Sequence, residues 1–387
     1  MSLRVKLFHL NPEYSNRVFG LDLMRALAIL FVVLGHGGWM LNEANTNFPW
    51  IPLIDGVEMF FVLSGFLIGG ILIKTFQNTR SLGISTIWNF WIRRWFRTLP
   101  NYYLILLLNV LFVYCGIVGG DFSQFNWKYF LFLQNFSQPF YNFFWESWSL
   151  SVEEWFYLLF PILLSCFFVI GKKWKLARKQ IFLFSTCVFL LTSFFLRAFI
   201  ASNFQVDEFW LGVKIYKVVI YRFDGIALGL SAAFLKYWYP TLWLKIRNVS
   251  FVLGIILCYA IIYSSWLPNE YSTKVFKIIL QDFGCFLLLP KFDAIKSAPP
   301  IVTRVITHIS LISYSMYLIN LSLVSEIIRL NFPPHGPTSA WAMYFTYWGV
   351  VIVASTLIYT YYEKPIMDIR NKIKPNRRFI RSREIQA

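Results

Sequence analysis

The chain of 387 residues is 57% hydrophobic and 20% aromatic with only 14% charged residues, which excludes a soluble multidomain protein and describes one that crosses a membrane repeatedly. Its net charge of +17 invites a nucleic-acid partner, but the basic residues sort by membrane side rather than into one patch, so none is expected. The five cysteines, Cys115, Cys166, Cys187, Cys258 and Cys285, lie in apolar stretches without close pairs, so neither a disulfide framework nor a metal site is expected.

Ten spans meeting the bilayer requirement of about 20 residues are predicted at 18–41, 54–76, 99–120, 148–170, 181–201, 213–238, 249–267, 274–290, 304–330 and 341–363. The expected fold is an all-α polytopic membrane helix bundle of about ten transmembrane helices. A segment 1–17 precedes the transmembrane domain 18–363, and a basic tail 364–387 follows it. No cleavable signal peptide is expected, because a polar segment precedes the first apolar stretch and further spans follow it. With both termini on one side, 27 of the 36 Lys and Arg fall on that side. Seven fall on the other, Arg197 and Lys274 among them, and Arg25 and Arg222 lie within spans. Positive charge marks the cytoplasmic face, so both ends are expected inside.

The first span carries LMRALAILFVVLGHGG, with Arg25 and His36 separated by ten uncharged residues. Eleven steps of 100° bring the two within about 20° of one face, about 16 Å apart along the axis. Asp22, three residues before Arg25, is placed to pair with it and lower the cost of burying a guanidinium. The alternative is a snorkelling Asp22–Arg25 pair at the interface and a satisfied polar His36 near the outer boundary.

The second span begins DGVEMFFVLSGFLIGG, which places Glu58 near the outer end, while Ser64, Gly65, Gly69 and Gly70 permit close helix approach. FWIRRWFRTLP then sets Arg93, Arg94 and Arg97 at the cytoplasmic mouth of the third span, interleaved with Trp91, Trp95 and Phe96. Arginine suits phosphate recognition and aromatic faces suit stacking on a flat base, although positive-inside residues and interfacial tryptophans give the same composition. The outer connection 121–147 contains YFLFLQNF, too short to span and read as re-entrant or interfacial.

The fourth span opens ESWSLSVEEWFYLLFP, with Trp148 beside Glu146, Glu153 and Glu154; adjacent helix residues cannot face one way, and Glu153 is taken as inward-facing. The sixth span holds Arg222 and Asp224 in YRFDGIALGL, read as an internal ion pair or a polar cavity wall. SYSMYLIN in the ninth span and YYEKP at the end of the tenth follow, and the tail KIKPNRRFIRSR is expected to lie against anionic lipid head groups.

In order from about residue 19 to 365, Arg25 and His36, GVEMFFVLSGFLI, RRWFRTLP, WSLSVEEWFYLLFP, YRFDGIALG, ISYSMYLIN and EKP resemble the acyltransferase 3 family of bacterial membrane enzymes that acylate cell-surface carbohydrates. The resemblance implies a bacterial inner or plasma membrane protein. It implies transfer of an acyl group, usually acetyl, from cytoplasmic acyl-CoA (acetyl-CoA as donor) to a hydroxyl of an extracytoplasmic carbohydrate. Family members often carry histidine where Asn320 stands, so that position is assigned no proton-transfer role.

On this reading His36 is the general base and Glu58 or Glu153 fixes its tautomer. Arg25, Arg93, Arg94 and Arg97 attract the coenzyme's phosphates. Asp22, Ser64, Trp148, Arg222 and Asp224 line the substrate cavity. Direct transfer and a covalent acyl-His36 relay both satisfy the pattern. Two other functions use similar residues: a transporter or flippase of a lipid-linked saccharide, and an acyltransferase with a lipid or protein acceptor. O-antigen, capsule, exopolysaccharide, peptidoglycan and secreted oligosaccharides all present hydroxyls, and no residue names one of them.

Overall fold

The structure is a computed structural model, and it describes residues 17–44, 46, 53–78, 83–203, 213–263, 267 and 269–372. Most of the predicted N-terminal segment and the tail from residue 373 onward lie outside the described residues. The helices are α1 (Phe19–Gly37), α2 (Trp39–Glu43), α3 (Gly56–Asn78), α4 (Ile84–Tyr114), α5 (Ser147–Lys173), α6 (Arg178–Asn203), α7 (Asp224–Trp238), α8 (Pro240–Ile262), α9 (Glu270–Ala294), α10 (Pro300–Ile319), α11 (Glu326–Asn331), α12 (Pro337–Ile358) and α13 (Lys364–Lys372). Wider π turns occupy Asn320–Ser325 and Tyr359–Glu363. Among the described residues there is no strand. The chain is an all-α multi-pass membrane bundle.

Among the described residues, eight helical stretches are long and apolar enough to cross a membrane: Phe19–Glu43, Gly56–Asn78, Ile84–Tyr114, Ser147–Lys173, Arg178–Asn203, Pro240–Ile262, Pro300–Asn331 and Pro337–Arg370. The two remaining predicted spans differ from them. The sixth is no continuous helix over 213–238, because α7 begins only at Asp224. Its 15 residues rise about 22 Å, short of a hydrocarbon core. The eighth, α9, has 25 residues but carries Glu270, Lys274, Lys277, Asp282, Lys291 and Asp293. Asn269 starts it as an N-cap, its side chain accepting from Ser272 N at 2.8 Å.

α3 and α7 form the centre of one core, where buried Phe61, Phe66, Phe156, Phe160, Ile226 and Leu230 pack together. Glycines on both helices serve that contact: a Cβ on Gly65 would strike Ile226 O, and one on Gly229 would meet Phe66 N at 2.7 Å. Only hydrogens fit there, which sets the helix spacing. A second core joins Ile29 and Val33 of α1 with Tyr102, Met316 and Tyr347.

The connection 115–146 is mostly irregular. It has a short 3-10 turn at Trp127–Leu131, and Phe132 adopts a left-handed conformation with φ 57°. Side chains of the flanking helices hold its backbone: Tyr102 OH donates to Tyr129 O at 2.9 Å, Tyr103 OH to Phe130 O at 2.8 Å, and Trp155 Nε1 to Phe132 O at 2.9 Å. Irregular backbone is tolerated here because these side-chain donors satisfy its carbonyls.

The cysteines of the described residues are all free; Cys258 and Cys285 are buried, whereas Cys115 and Cys166 are exposed.

Candidate active site

Arg25, Arg94 and Arg97 line one cavity together with Ser64, Glu153 and Tyr157. Its upper end is formed by Val57, Ser149 and Tyr317. A second cavity shares Arg94 and Arg97 and adds Arg93, Asn89, Thr86 and Arg370. It lies toward the helix ends carrying most of the positive charge. The three arginines of RRWFR therefore span two adjoining spaces, with Arg94 and Arg97 at their junction. Guanidinium groups at a space between helices suit a polyanion.

Arg25 is left facing the cavity because a nearer cation takes its expected partner. Arg17 Nε donates to Asp22 Oδ2 at 2.8 Å, Arg17 Nη2 reaches Oδ1 as well, and Ser310 Oγ donates to Asp22 at 2.9 Å. Asp22 stands 3.6 Å from Arg25, a looser contact. Asp22 is thus a buried anchor for two arginines rather than a cavity wall, which corrects its expected place.

The aromatic residues of α4 divide by role. Pro161 interrupts the hydrogen bonding of α5 and frees the carbonyl of Tyr157 four residues earlier. Trp91 Nε1 donates to that carbonyl at 3.1 Å. Trp91 also stacks on Trp95, with ring centroids 6.0 Å apart. Trp91 therefore ties α4 to α5. Arg94 lies over Tyr157 at 5.7 Å and Phe90 at 6.0 Å, which holds the guanidinium in place.

Glu153 lines the cavity and accepts from Ser64 Oγ, while its neighbour Glu154 points elsewhere and accepts from Thr98 Oγ1 at 2.7 Å. Glu58 is engaged by Arg222, whose Nη2 lies 2.5 and 2.7 Å from the two carboxylate oxygens. The Arg222 guanidinium also covers the rings of Trp148 at 5.2 Å and Phe61 at 5.4 Å. Asp224 pairs with Arg197 Nη2 at 2.6 Å, both side chains fully buried, so the expected Arg222–Asp224 pair does not form. The two are adjacent-but-one, a spacing whose side chains diverge. Arg222, Asp224 and Trp148 consequently belong to a buried structural network and not to the cavity wall.

Arg197, counted on the outer side, is wholly buried, donating to Tyr221 O at 2.9 Å and Val275 O at 3.1 Å. Lys274, another residue counted outside, is buried and bonds Glu270 at 3.0 Å. Asp282 completes the network: buried on α9, it lies so close to α7 that a Cβ on Gly225 would meet its Oδ1 at 2.7 Å. An aspartate amid the apolar run of IILQDFGCFLLL was a readable signal.

His36 stands beyond the cavity, one helical turn above Tyr317, and is not among the lining residues. Its Nδ1 lies 2.6 Å from Asn320 Oδ1. The Asn320 amide is fixed from its other end, because Nδ2 donates to Tyr317 O at 2.7 Å and Met316 O at 2.9 Å. Oδ1 is therefore the acceptor, Nδ1 of His36 carries the proton, and Nε2 is the basic nitrogen. Glu58 and Glu153, each assigned elsewhere, make no hydrogen bond to His36, so the tautomer-fixing role expected of one of them falls to Asn320. Asn320 opens the π turn, a widening common at functional sites, and its side chain bonds two carbonyls of the preceding turn. Glu146 braces the same turn by accepting from Ser322 N at 3.1 Å and from Ser322 Oγ. Among the described residues no group of His, Cys, Asp and Glu could hold a metal ion.

A family model described as an acyltransferase domain matches residues 18–360. Over 184 residues the chain is 34% identical to peptidoglycan O-acetyltransferase OatA of Listeria monocytogenes, covering 43% of this chain and 27% of that protein. Over 167 residues it is 33% identical to YrhL of Bacillus subtilis, provisionally named a peptidoglycan O-acetyltransferase, covering 39% and 24% respectively. A Staphylococcus aureus protein provisionally named an O-acetyltransferase is 32% identical over 170 residues, covering 41% and 26%. The chain thus spans about a quarter of the length of these curated relatives. No solved structure matches it. With the family model running from the start of α1 to the π turn before α13, and with the cavity arginines and His36 inside that match, the chain belongs to the acyltransferase domain family, the acyltransferase 3 family that its sequence resembles.

Proposed function

We propose that the protein is a membrane O-acetyltransferase that moves an acetyl group from cytoplasmic acetyl-CoA to a hydroxyl of an extracytoplasmic carbohydrate. The names of the relatives favour peptidoglycan as the acceptor. The observation that carries the reading is one helix with two ends of different chemistry. Arg25 faces a cavity that leads to Arg93, Arg94 and Arg97, and His36, about 16 Å farther along α1, holds a free basic nitrogen.

The steps follow from the residues. The inner arginines attract the coenzyme's phosphates, and its flexible arm extends up the cavity past Ser64 and Glu153 toward His36. A sugar hydroxyl approaches from outside. As its oxygen attacks the thioester carbonyl, His36 Nε2 takes the hydroxyl proton, the carbon–sulfur bond breaks, and the proton passes from His36 to the departing sulfur. An ester and free coenzyme thiol result. Asn320 Oδ1 accepts from Nδ1–H throughout and stabilises the imidazolium that forms.

The test is to incubate purified protein in detergent with acetyl-CoA and soluble peptidoglycan fragments and to follow both thiol release and sugar ester. The reading expects both to appear in equal amount. Thioester left intact, with the saccharide moved across a vesicle membrane instead, would replace it with the transporter reading.

A further inference from the structure

Between α4 and α5 the connecting segment encloses a third, separate pocket, lined by Gln124, Asn126, Lys128, Gln134, Ser137 and Gln138 together with Tyr129 and Phe140. Amides and a hydroxyl dominate it, and Lys128 is its one charged residue. The catalytic reading gives this pocket no role.

Gln134 makes it a prepared site. The residue is only 8% exposed, and its Nε2 donates to Ser151 Oγ at 2.7 Å and Ser147 Oγ at 3.3 Å. These two bonds anchor the amide to the first turns of α5 and leave Oε1 buried without a partner in the protein. A buried acceptor is unfavourable unless a donor arrives from outside the chain. Neighbouring amides are held by the local turns: Asn126 Oδ1 accepts from Lys128 N at 3.0 Å, its Nδ2 donates to Gln124 O at 2.9 Å, and Gln124 Nε2 donates to Asp121 at 3.2 Å. Trp127, between Asn126 and Lys128 in the chain, is 62% exposed and offers a flat face to the apolar side of a sugar ring.

The pocket lies across α5 from the cavity: Ser147 and Ser151 hold Gln134, while Ser149 and Glu153 face the other way. The geometry points to a glycan subsite that holds a pyranose unit of the acceptor chain on the far side of α5 from the one being acylated, with Lys128 meeting a carboxylate on the bound unit. The role as an acceptor subsite rests on the proposed function; binding of the sugar does not.

The experiment uses the full chain in detergent with two probes, N-acetylglucosaminyl-N-acetylmuramic acid and chitobiose, its analogue without the carboxylate. Saturation-transfer NMR without donor reads binding, and KM and kcat for acetyl transfer read catalysis. Gln134→Leu is expected to weaken both sugars about tenfold, the loss of one buried hydrogen bond. Lys128→Ala, at an exposed residue whose removal leaves packing intact, is expected to weaken the muramic disaccharide and leave chitobiose unchanged. KM should rise in both variants with kcat held. Unchanged binding in both variants, or no binding of either sugar to the wild type, overturns the subsite. Binding that responds as stated without any transfer would keep the subsite and remove the acetyltransferase reading; transfer with KM unaffected by either variant would do the reverse.

Discussion

Replacing Asn320 with leucine removes the hydrogen-bond acceptor that holds His36 Nδ1. The resting bond, at 2.6 Å between Nδ1 and Oδ1, is neutral and is worth about 1 kcal/mol net. In the transition state the imidazole becomes charged, and a hydrogen bond to a charged group is worth about 1.5–3 kcal/mol. Only the difference slows the chemical step, so its loss alone costs about 0.5–2 kcal/mol, a fall in kcat of about 2- to 30-fold. The freed ring can also adopt the wrong tautomer, which adds to that fall. The leucine also leaves Met316 O and Tyr317 O without Asn320 as donor, so folding is checked by thermal unfolding in detergent. The assay is kcat and KM for acetyl transfer, with acetyl-CoA binding measured in parallel. Asn320→His, which presents a ring nitrogen as acceptor, should recover part of the lost kcat. Wild-type kcat in a folded Asn320→Leu protein would refute the assignment of tautomer control to Asn320.

Arg197→Met leaves Asp224 buried and unpaired, which should cost about 3–5 kcal/mol of stability and appear as a large drop in unfolding temperature. The double variant Arg197→Met with Asp224→Leu should recover most of it, because neither charge then needs a partner. Arg94→Ala removes a guanidinium shared by both cavities, and should raise KM for acetyl-CoA about tenfold while kcat stays within about twofold. A fall in kcat with KM unchanged would place Arg94 at the reacting group instead.

The apolar stretches gave the bundle away because hydropathy over about 20 residues is a strong signal, and most predicted spans overlap a helix closely. The shared face of Arg25 and His36 followed from helix periodicity, as did the opposed directions of Glu153 and Glu154. Partner choice was not legible. Arg222 and Asp224 are close in sequence yet bind Glu58 and Arg197, since buried charges pair through the packing of α3, α6 and α7, which no local pattern records. Asp22 likewise holds Arg17 more closely than the expected Arg25, which stands 3.6 Å away. The start of α7 escaped because Val218–Tyr221 are as apolar as a span, although they form only a short 3-10 turn at Val219–Tyr221 before α7 begins at Asp224. Asn320 was given no proton-transfer role because it stands where family members often carry histidine, yet here it offers a fixed acceptor oxygen, visible only once the π turn brings it against His36.

The central claim is tested most directly by His36→Ala in purified, folded protein, with sugar ester formation and acetyl-CoA binding measured on the same sample. The account expects ester formation to disappear and donor affinity to stay at its wild-type value, because the arginines that hold the phosphates lie about 16 Å away along α1. Ester formation at the wild-type rate would show that the proton leaves the sugar by another route and would contradict the account.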